Sequence, residues 1–435
     1  MLTAPERQLA LNCARQMMAP DLISQTQEIL QTHLRWDQIL QAAWQNGIAS
    51  LLYKNLRRVD RPGAVPHEVM RKLLQLYHRT GYMNFHMLNA LGELLERFAS
   101  AGVKVIILKG AYLAQRIYSD VGSRPFFDLD LLVQKKDIDK AQAVLVETGY
   151  TFPPDLLSAR FYQQYHFNLP FLKQDTVTTH VELHWNLTDQ FRGFTLDIEG
   201  LWARACPAQL SNHDALVLSP EDLVSHLSIH LDMHGYLNRV LVGRSNEAAI
   251  IFHPFSENRL IWFTDLYEVI GQYRGSIDWA ALLQRSRQAG TEASVSTTLS
   301  LLNVLFGPVV DSRVLEGLGS RRATGVKRKL LEWLISTSLE SGERDVSPRT
   351  FIRSKLLAKG KRAQFRLIRL VDLWDYLLPA PDLVRRRAKV ASRGLLAVFY
   401  VIHVVQAFTH CARSGVQLLF HLSKRKAAGS PSRSP

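Results

Sequence analysis

Apolar residues recur every three or four positions over the first hundred residues, which is the spacing of amphipathic helices. The clearest stripe runs from Met87 through Leu91 and Leu94 to Phe98. Side chains at this spacing share one face of a helix and can be buried together. The pattern therefore predicts a helical region over residues 1–98.

Short runs of β-branched and aromatic residues replace the helical pattern beyond this region. Residues 103–108 (VKVIIL) and 126–133 (FFDLDLLV) predict two buried strands. Residues 167–172 and 178–185 (TTHVELHW) predict a hairpin of two further strands. One helix is expected after the first strand and another after the second, with Gly149 as its C-terminal stop. The order strand, helix, strand, helix, hairpin is typical of a small α/β sheet domain.

Helical periodicity returns in the second half of the chain, beginning at Pro220. We divide the chain into an N-terminal helical region (1–98), a sheet-containing core (99–205), a helical domain (206–345) and a basic helical C-terminal segment (346–435) whose last residues are expected to be disordered. The predicted fold class is α+β, with an α/β core between N-terminal and C-terminal helical regions.

The net charge of +14 is concentrated in the C-terminal segment. Residues 352–435 contain 17 Lys and Arg against 3 Asp, which leaves 36 basic and 36 acidic residues in the rest of the chain. Such a segment favours an anionic partner, either nucleic acid or an acidic membrane surface, and a solvated basic tail is the alternative. Residues 395–408 are apolar but too few to cross a bilayer. Packing on the helical domain is favoured for them over an interfacial helix.

Cysteine usage and the N-terminus predict a cytoplasmic protein, with peripheral membrane attachment as the variant that the basic segment allows. Cys13, Cys206 and Cys411 are far apart and form no CxxC pair. They therefore indicate neither a disulfide framework nor a zinc site. Residues 1–16 carry charges throughout, unlike the apolar centre of a signal peptide.

Two aspartates on the second predicted strand indicate a metal site. Asp128 and Asp130 are two residues apart, so the alternation of a strand places both carboxylates on one face. Adjacent carboxylates repel each other, and a divalent cation removes the repulsion; Mg²⁺ is the natural candidate, with Mn²⁺ as its substitute. Glu182 would add a third carboxylate from a neighbouring strand, or act as the base that deprotonates an acceptor hydroxyl. A solvated strand end is the alternative for the Asp-Leu-Asp triplet alone.

Three residues before the aspartates are suited to binding phosphate. Lys109 and Gly110 follow the first strand, where a glycine lets a phosphate approach the backbone and a lysine supplies a positive charge. Arg124 precedes Asp128 by four residues and could serve in the same way. Each has an ordinary structural alternative: a solvated lysine, a tight turn and a surface arginine. Their order together with the aspartates favours a nucleotide-binding role.

These motifs closely resemble the uncharacterised nucleotidyltransferase family of the DNA polymerase β-like nucleotidyltransferase superfamily. The matching motifs are Leu108-Lys109-Gly110, Arg124, Asp128-Leu129-Asp130, Gly149-Tyr150 and Glu182-Leu183-His184-Trp185. The resemblance covers roughly residues 100–310 and is specific between 105 and 185. It implies a mixed sheet with flanking helices, two Mg²⁺ ions and an NTP donor such as ATP. Ala111 stands where the wider superfamily has serine or glycine after the glycine.

The resemblance assigns roles to the residues identified above. It implies that Asp128, Asp130 and Glu182 are the catalytic, metal-binding residues, and that Lys109, Gly110 and Arg124 bind the nucleotide. The predicted function is metal-dependent transfer of a nucleoside monophosphate from an NTP to a hydroxyl or phosphate acceptor, which could be a small molecule, sugar phosphate, RNA or protein. The alternative is a catalytically inactive protein of this fold that docks on membrane or nucleic acid through its basic C-terminal segment.

Histidines near the motifs are candidates for accessory roles. His180 and His184 flank Glu182 on the same predicted strand face and could orient its carboxylate. His226 and His230, four residues apart on a helix, could bind a metal with a third ligand, although structural histidines are the more common case. Asp265 lies in an apolar helix and needs a partner there, which could be a histidine.

Overall fold

The computed structural model describes residues 2–59, 63–153, 166–188, 194–233 and 260–318, together with residues 162, 163 and 401. The basic C-terminal segment, including nearly all of residues 395–408, lies outside the described residues. None of the helices that the structure does describe is both long enough and apolar enough to cross a membrane.

Among the described residues, five helices precede the sheet: α1 (Ala4–Cys13), α2 (Pro20–Ile29), α3 (Trp36–Gln45), α4 (Ala49–Val59) and α5 (His67–Ser100). Helix α5 buries the predicted stripe, since Met87, Leu91, Leu94 and Phe98 are all enclosed. Its apolar face lies against α4 and against the sheet described next. The predicted helical character of this region is confirmed in residues 2–59 and 63–100.

Six strands form one mixed sheet within the described part of the chain. They are β1 (Val105–Ile107), β2 (Leu129–Val133), β3 (Asn168–Lys173), β4 (Thr179–His184), β5 (Cys206–Leu210) and β6 (His213–Val217). Their order across the sheet is β3-β4-β2-β1-β6-β5. Strand β1 is antiparallel to β2 and parallel to β6, whereas β2 is parallel to β4. The expected α+β fold with a mixed sheet and flanking helices is confirmed.

The strands differ from the predicted pattern in two respects. Strand β2 begins at Leu129, so Asp128 lies directly before the strand and not within it. Residues 206–217, which fall within the predicted helical domain, form the β5–β6 hairpin and extend the sheet beyond β1. The alternation in this hairpin is weak, because most of its side chains are half-buried or exposed. The predicted domain boundaries stay predictions.

Helices that flank the sheet connect its strands. Helix α6 (Lys109–Tyr112) continues into a π-helical turn (Leu113–Ile117), and α7 (Ile138–Glu147) follows β2. Gly149 has a φ of 89°, which lies in the left-handed region and ends α7 as predicted.

The remaining described helices lie beyond β4. They are α8 (Ile198–Arg204), α9 (Pro220–Met233), α10 (Leu260–Gln272), α11 (Trp279–Ala289), α12 (Glu292–Phe306) and α13 (Ser312–Gly317). Helix α9 packs against α10, α11 and α12, and α10 also contacts the π-helical turn that follows α6. This contact places α10 beside the turn that continues α6, the helix that carries Lys109 and Gly110 of the predicted site.

Candidate active site

The carboxylates of the predicted site converge from two adjacent parallel strands. Asp130 of β2 lies directly opposite Glu182 of β4 in the strand register. The neighbouring leucines, Leu131 and Leu183, are fully buried on the other face of the sheet. Alternation therefore directs the two carboxylates to the same face, and Asp128 precedes them at the start of β2.

Two basic side chains compensate these carboxylates. The Lys109 ammonium lies 2.9 Å from Asp130 Oδ1. The Nε2 atom of His184 lies 3.1 Å from Asp130 Oδ1 and 3.2 Å from Glu182 Oε2. Asn168 of β3 donates a 2.8 Å hydrogen bond to the same oxygen of Glu182. The site thus contains two internal cations, Lys109 and His184, against the three carboxylates Asp128, Asp130 and Glu182.

The position of Lys109 follows from the local backbone. Strand β1 ends at Ile107, and the amide of Leu108 donates a 3.0 Å hydrogen bond to the carbonyl of Asp130. Lys109 then begins α6, so its side chain emerges beside β2. The predicted strand–lysine–glycine order is what brings this ammonium to the carboxylates.

Charge and burial give the two aspartates different pKa values. The negative charge of Asp130, together with burial, raises the pKa of Asp128 to about 6 despite the opposing effect of Lys109. Burial acts to raise the pKa of Asp130 as well, but Lys109 and His184 outweigh it and hold that pKa well below its usual range. Asp130 is therefore ionised at neutral pH, while Asp128 carries the cost of like-charge repulsion.

The same balance acts on the neighbouring groups. Burial acts against the charged form of His184, but its hydrogen bonds to Asp130 and Glu182 prevail and raise its pKa to about 9. The pKa of Glu182 is lowered, because His184 outweighs the effect of burial. Burial likewise opposes the charge of Lys109, and the three carboxylates overcome it and raise the pKa of Lys109.

Two buried polar atoms of this cluster have no hydrogen-bond partner among the described residues: Asp130 Oδ2 and His184 Nδ1. Asp130, Glu182 and His184 offer ligand atoms that all lie within 4.8 Å of one another, which makes them a candidate metal-binding group. A histidine thus joins two of the predicted carboxylates, whereas Asp128 lies outside this group.

The sequence signal for His184 was its position two residues after Glu182, on the same strand face. His180, the other predicted accessory residue, is exposed.

Gly110 lies where α6 approaches the loop before β2. A Cβ atom at this position would lie 3.1 Å from Cβ of Phe126 and 3.5 Å from both Nη1 of Arg124 and the carbonyl oxygen of Asp128. Any larger residue would therefore push the loop away. The predicted glycine serves close packing between the lysine turn and the aspartate loop.

Arg124 is buried and engaged with a residue far along the chain. Its Nε and Nη2 atoms donate hydrogen bonds of 3.1 and 2.7 Å to the two carboxylate oxygens of Asp265 in α10. Tyr118 donates a further bond of 2.8 Å to Asp265. The partner that Asp265 was expected to need is thus Arg124 and Tyr118. The structure also places Arg124 at the cavity wall, beside Gly110.

The loop that carries Arg124 is held by α5. Asn84 is fully buried, and its side-chain amide donates hydrogen bonds of 2.6 and 2.7 Å to the carbonyls of Val121 and Arg124. Asp120 pairs with Lys54 at the other end of the loop and accepts a bond from Tyr77. The only sequence signal for Asn84 was a polar residue in line with the apolar stripe of α5.

A cavity of about 430 Å³ opens in front of the carboxylates. Its lining combines the charged site residues with an apolar and aromatic wall: Lys109, Gly110, Arg124, Pro125, Phe126, Phe127, Asp128, Phe167, Asn168, Glu182, His184, Leu187, His226, His230, Met233, Ile261 and Trp262. Asp130 lies behind this surface and is 2% exposed. All the predicted catalytic and nucleotide-binding residues therefore lie at or next to one cavity.

Residues 32–307 match the family described as "Uncharacterised nucleotidyltransferase". The match spans more than half of the 435 residues, so the chain belongs to this family. Membership supports a general nucleotidyltransferase role, with which the buried acidic group is compatible. Comparison with curated proteins found no match, and neither did comparison with solved structures.

Proposed function

We propose that this protein transfers a nucleoside monophosphate from an NTP to a hydroxyl or phosphate acceptor, with the help of Mg²⁺ or Mn²⁺. The observation that carries the proposal is the convergence of Asp128, Asp130 and Glu182 at a cavity that also contains Lys109. Family membership supports the same class of reaction. A small molecule, a sugar phosphate, an RNA or a protein could each be the acceptor.

The residues present fit a hard divalent cation. Asp130 keeps one buried oxygen without a partner among the described residues, and the repulsion that raises the pKa of Asp128 is the kind that a cation removes. Asp128, Asp130 and Glu182 would hold the cation, which when bound neutralises phosphate oxygens and makes the phosphorus easier to attack. His184 would orient Asp130 and Glu182 through Nε2.

Glu182 suits the role of ligand better than that of general base. Its pKa is lowered, chiefly because His184 outweighs burial, so it stays ionised and accepts a proton poorly. We therefore assign Glu182 to holding the cation and leave the acceptance of the hydroxyl proton unassigned.

Lys109, Gly110 and Arg124 form the proposed phosphate side of the site. With Asp130 compensated by a bound cation, the Lys109 ammonium would be free to contact a phosphate oxygen. Arg124 uses Nε and Nη2 for Asp265, and its Nη1 faces the Gly110 turn. Asp265 would thus hold the guanidinium in a fixed orientation while one nitrogen remains for the nucleotide.

The test is transfer of label from each of the four α-labelled NTPs, with Mg²⁺ or Mn²⁺ and a cell extract as the source of acceptors. The Asp128→Ala/Asp130→Ala variant is assayed beside the wild type. Label transferred by the wild type and not by the double variant is the expected result, and the labelled species identifies the acceptor class. Asp139→Ala provides a matched control, because Asp139 is exposed on α7.

Two other outcomes are informative. Metal-dependent NTP binding without transfer would mean that the extract lacked the acceptor. Absence of both binding and transfer would overturn the proposal in favour of the inactive protein that docks through its basic C-terminal segment.

A further inference from the structure

The cavity has a second wall, formed by α9 and α10, to which the proposed reaction assigns no role. His226 and His230 of α9 lie on this wall with Trp262 of α10. His226 is 4% exposed, and neither of its ring nitrogens has a hydrogen-bond partner among the described residues. A buried polar group without a partner destabilises a fold, and a ligand in the cavity would complete the hydrogen bonding of His226.

The surroundings of His226 determine what it can bind. Burial, reinforced by the positive charge of Lys109, lowers the pKa of His226 to about 3, so the imidazole is neutral at physiological pH. A neutral imidazole has one donor and one acceptor nitrogen and carries no charge for a phosphate. The imidazole of His226 is therefore suited to a hydrogen bond with an uncharged polar group of a ligand.

The neighbouring side chains add flat apolar surfaces. The rings of His230 and Trp262 meet edge to face, with centroids 4.9 Å apart. Phe167 lies on the carboxylate side, with its ring 5.6 Å from that of His184. Aromatic surfaces of this kind favour a planar ring, which can stack on them regardless of its identity.

We propose that the wall formed by His226, His230 and Trp262 binds the nucleobase of the NTP, and that His226 makes one hydrogen bond to an edge of the base. The inference rests on the proposed function, since it places the base of the same nucleotide whose phosphates lie at Lys109 and Gly110. One cavity contains both sets of residues, so a single nucleotide can occupy both.

Calorimetric titration with Mg²⁺ tests the inference on the full chain. The probes are ATP, GTP, CTP, UTP and inorganic tripolyphosphate, which has the phosphates but no base. The wild type is expected to bind at least one NTP more tightly than tripolyphosphate. His226→Phe keeps a ring but removes the hydrogen bond. It should lower the affinity for that NTP about tenfold and leave the affinity for tripolyphosphate unchanged.

Controls separate this effect from a loss of folding. His33→Phe makes the same substitution at an exposed site and should alter neither affinity. His226→Asn retains a donor and an acceptor and should lose less NTP affinity than His226→Phe, which also covers the case in which the phenylalanine variant does not fold. Thermal melting of every variant reports folding.

Three results would overturn the inference. The first is a wild type that binds tripolyphosphate as tightly as every NTP. The second is a His226→Phe variant that keeps its affinity for the NTP, for example because His226 contacts the acceptor. The third is a His226→Phe variant whose affinities for the NTP and for tripolyphosphate fall equally. Proposed function and inference fail together only if the wild type binds none of the five probes.

Discussion

The Arg124–Asp265 pair and the Asp130 cluster are both buried groups of charges beside the same cavity, but their partners differ. Asp265 is fully buried, and both of its oxygens accept bonds from Arg124, with a third bond from Tyr118. Asp130 pairs through Oδ1 with Lys109 and His184, while its Oδ2 has no partner among the described residues. The hydrogen bonding of Asp265 is complete among the described residues, and that of Asp130 is not.

The difference separates a structural role from a binding role. A carboxylate whose oxygens are all bonded gains nothing from a further cation, whereas a carboxylate with an unpaired buried oxygen can be stabilised by one. Repulsion between Asp128 and Asp130 acts in the same direction. Substitutions in the two groups should therefore have opposite effects on stability.

The largest effect is expected from Asp128→Asn. We expect transfer activity to fall on the order of a thousandfold, because a charge that stabilises the transition state is lost. The melting temperature should stay constant or rise, because the substitution removes like-charge repulsion. Parallel assays of transfer and thermal melting measure both, with Asp139→Asn as control. A variant that loses activity only because it unfolds would contradict the assigned role.

Asp265→Asn should instead lower the free energy of unfolding by about 3–5 kcal/mol, because Arg124 is left buried without a charged partner. Urea denaturation measures the loss. The double variant Arg124→Met/Asp265→Leu should recover most of it, since apolar residues of similar volume can replace a buried ion pair. A double variant as unstable as Asp265→Asn would show that the pair itself is not responsible.

A third prediction concerns pH and Asp128. Its pKa is raised from 3.8 to about 6, so between these values the folded protein holds more protons than the unfolded chain. The contribution of Asp128 to the free energy of unfolding therefore falls as pH rises through that window. Above about pH 6 the destabilisation by its charge is fully present. Without divalent cations, the gain in melting temperature of Asp128→Asn over the wild type should grow between about pH 4 and about pH 6. A gain independent of pH would contradict this account.

The smallest effect is expected at Glu6, which pairs with Arg35 and does not line the cavity. Arg35 is 43% exposed, so Glu6→Gln should lower the free energy of unfolding by only about 1–2 kcal/mol and leave nucleotide binding unchanged. Hydrogen bonds from Arg35, opposed by burial and aided by Thr3, lower the pKa of Glu6 from 4.5 to about 2. The stabilisation is present above pH 4.5 and is lost as pH falls towards 2. Acid titration of both proteins should show the difference vanishing in that range.

Local patterns predicted the parts of the site that lie within single strands and the turn after β1. Alternation in residues 126–133 and 178–185 predicted a polar face on each strand, and the strand register in the structure brings Asp130 of one opposite Glu182 of the other. The lysine and glycine after the first strand were equally visible, because backbone geometry sets where the next residue must go. Residues beyond 318, apart from residue 401, keep only their sequence predictions.

Long-range packing decided the rest. The pairing of Arg124 with Asp265 joins residues 141 positions apart, and no periodicity relates them. The sequence showed His226 only as one of two histidines four residues apart on a helix. Its place in the same cavity as Lys109 follows from the tertiary structure. The β5–β6 hairpin was missed because its side chains are only partly buried, so their polarity does not alternate strongly. Local backbone geometry thus determined which residues share a strand face, whereas the partners of the buried charges depended on which distant surfaces could exclude water together.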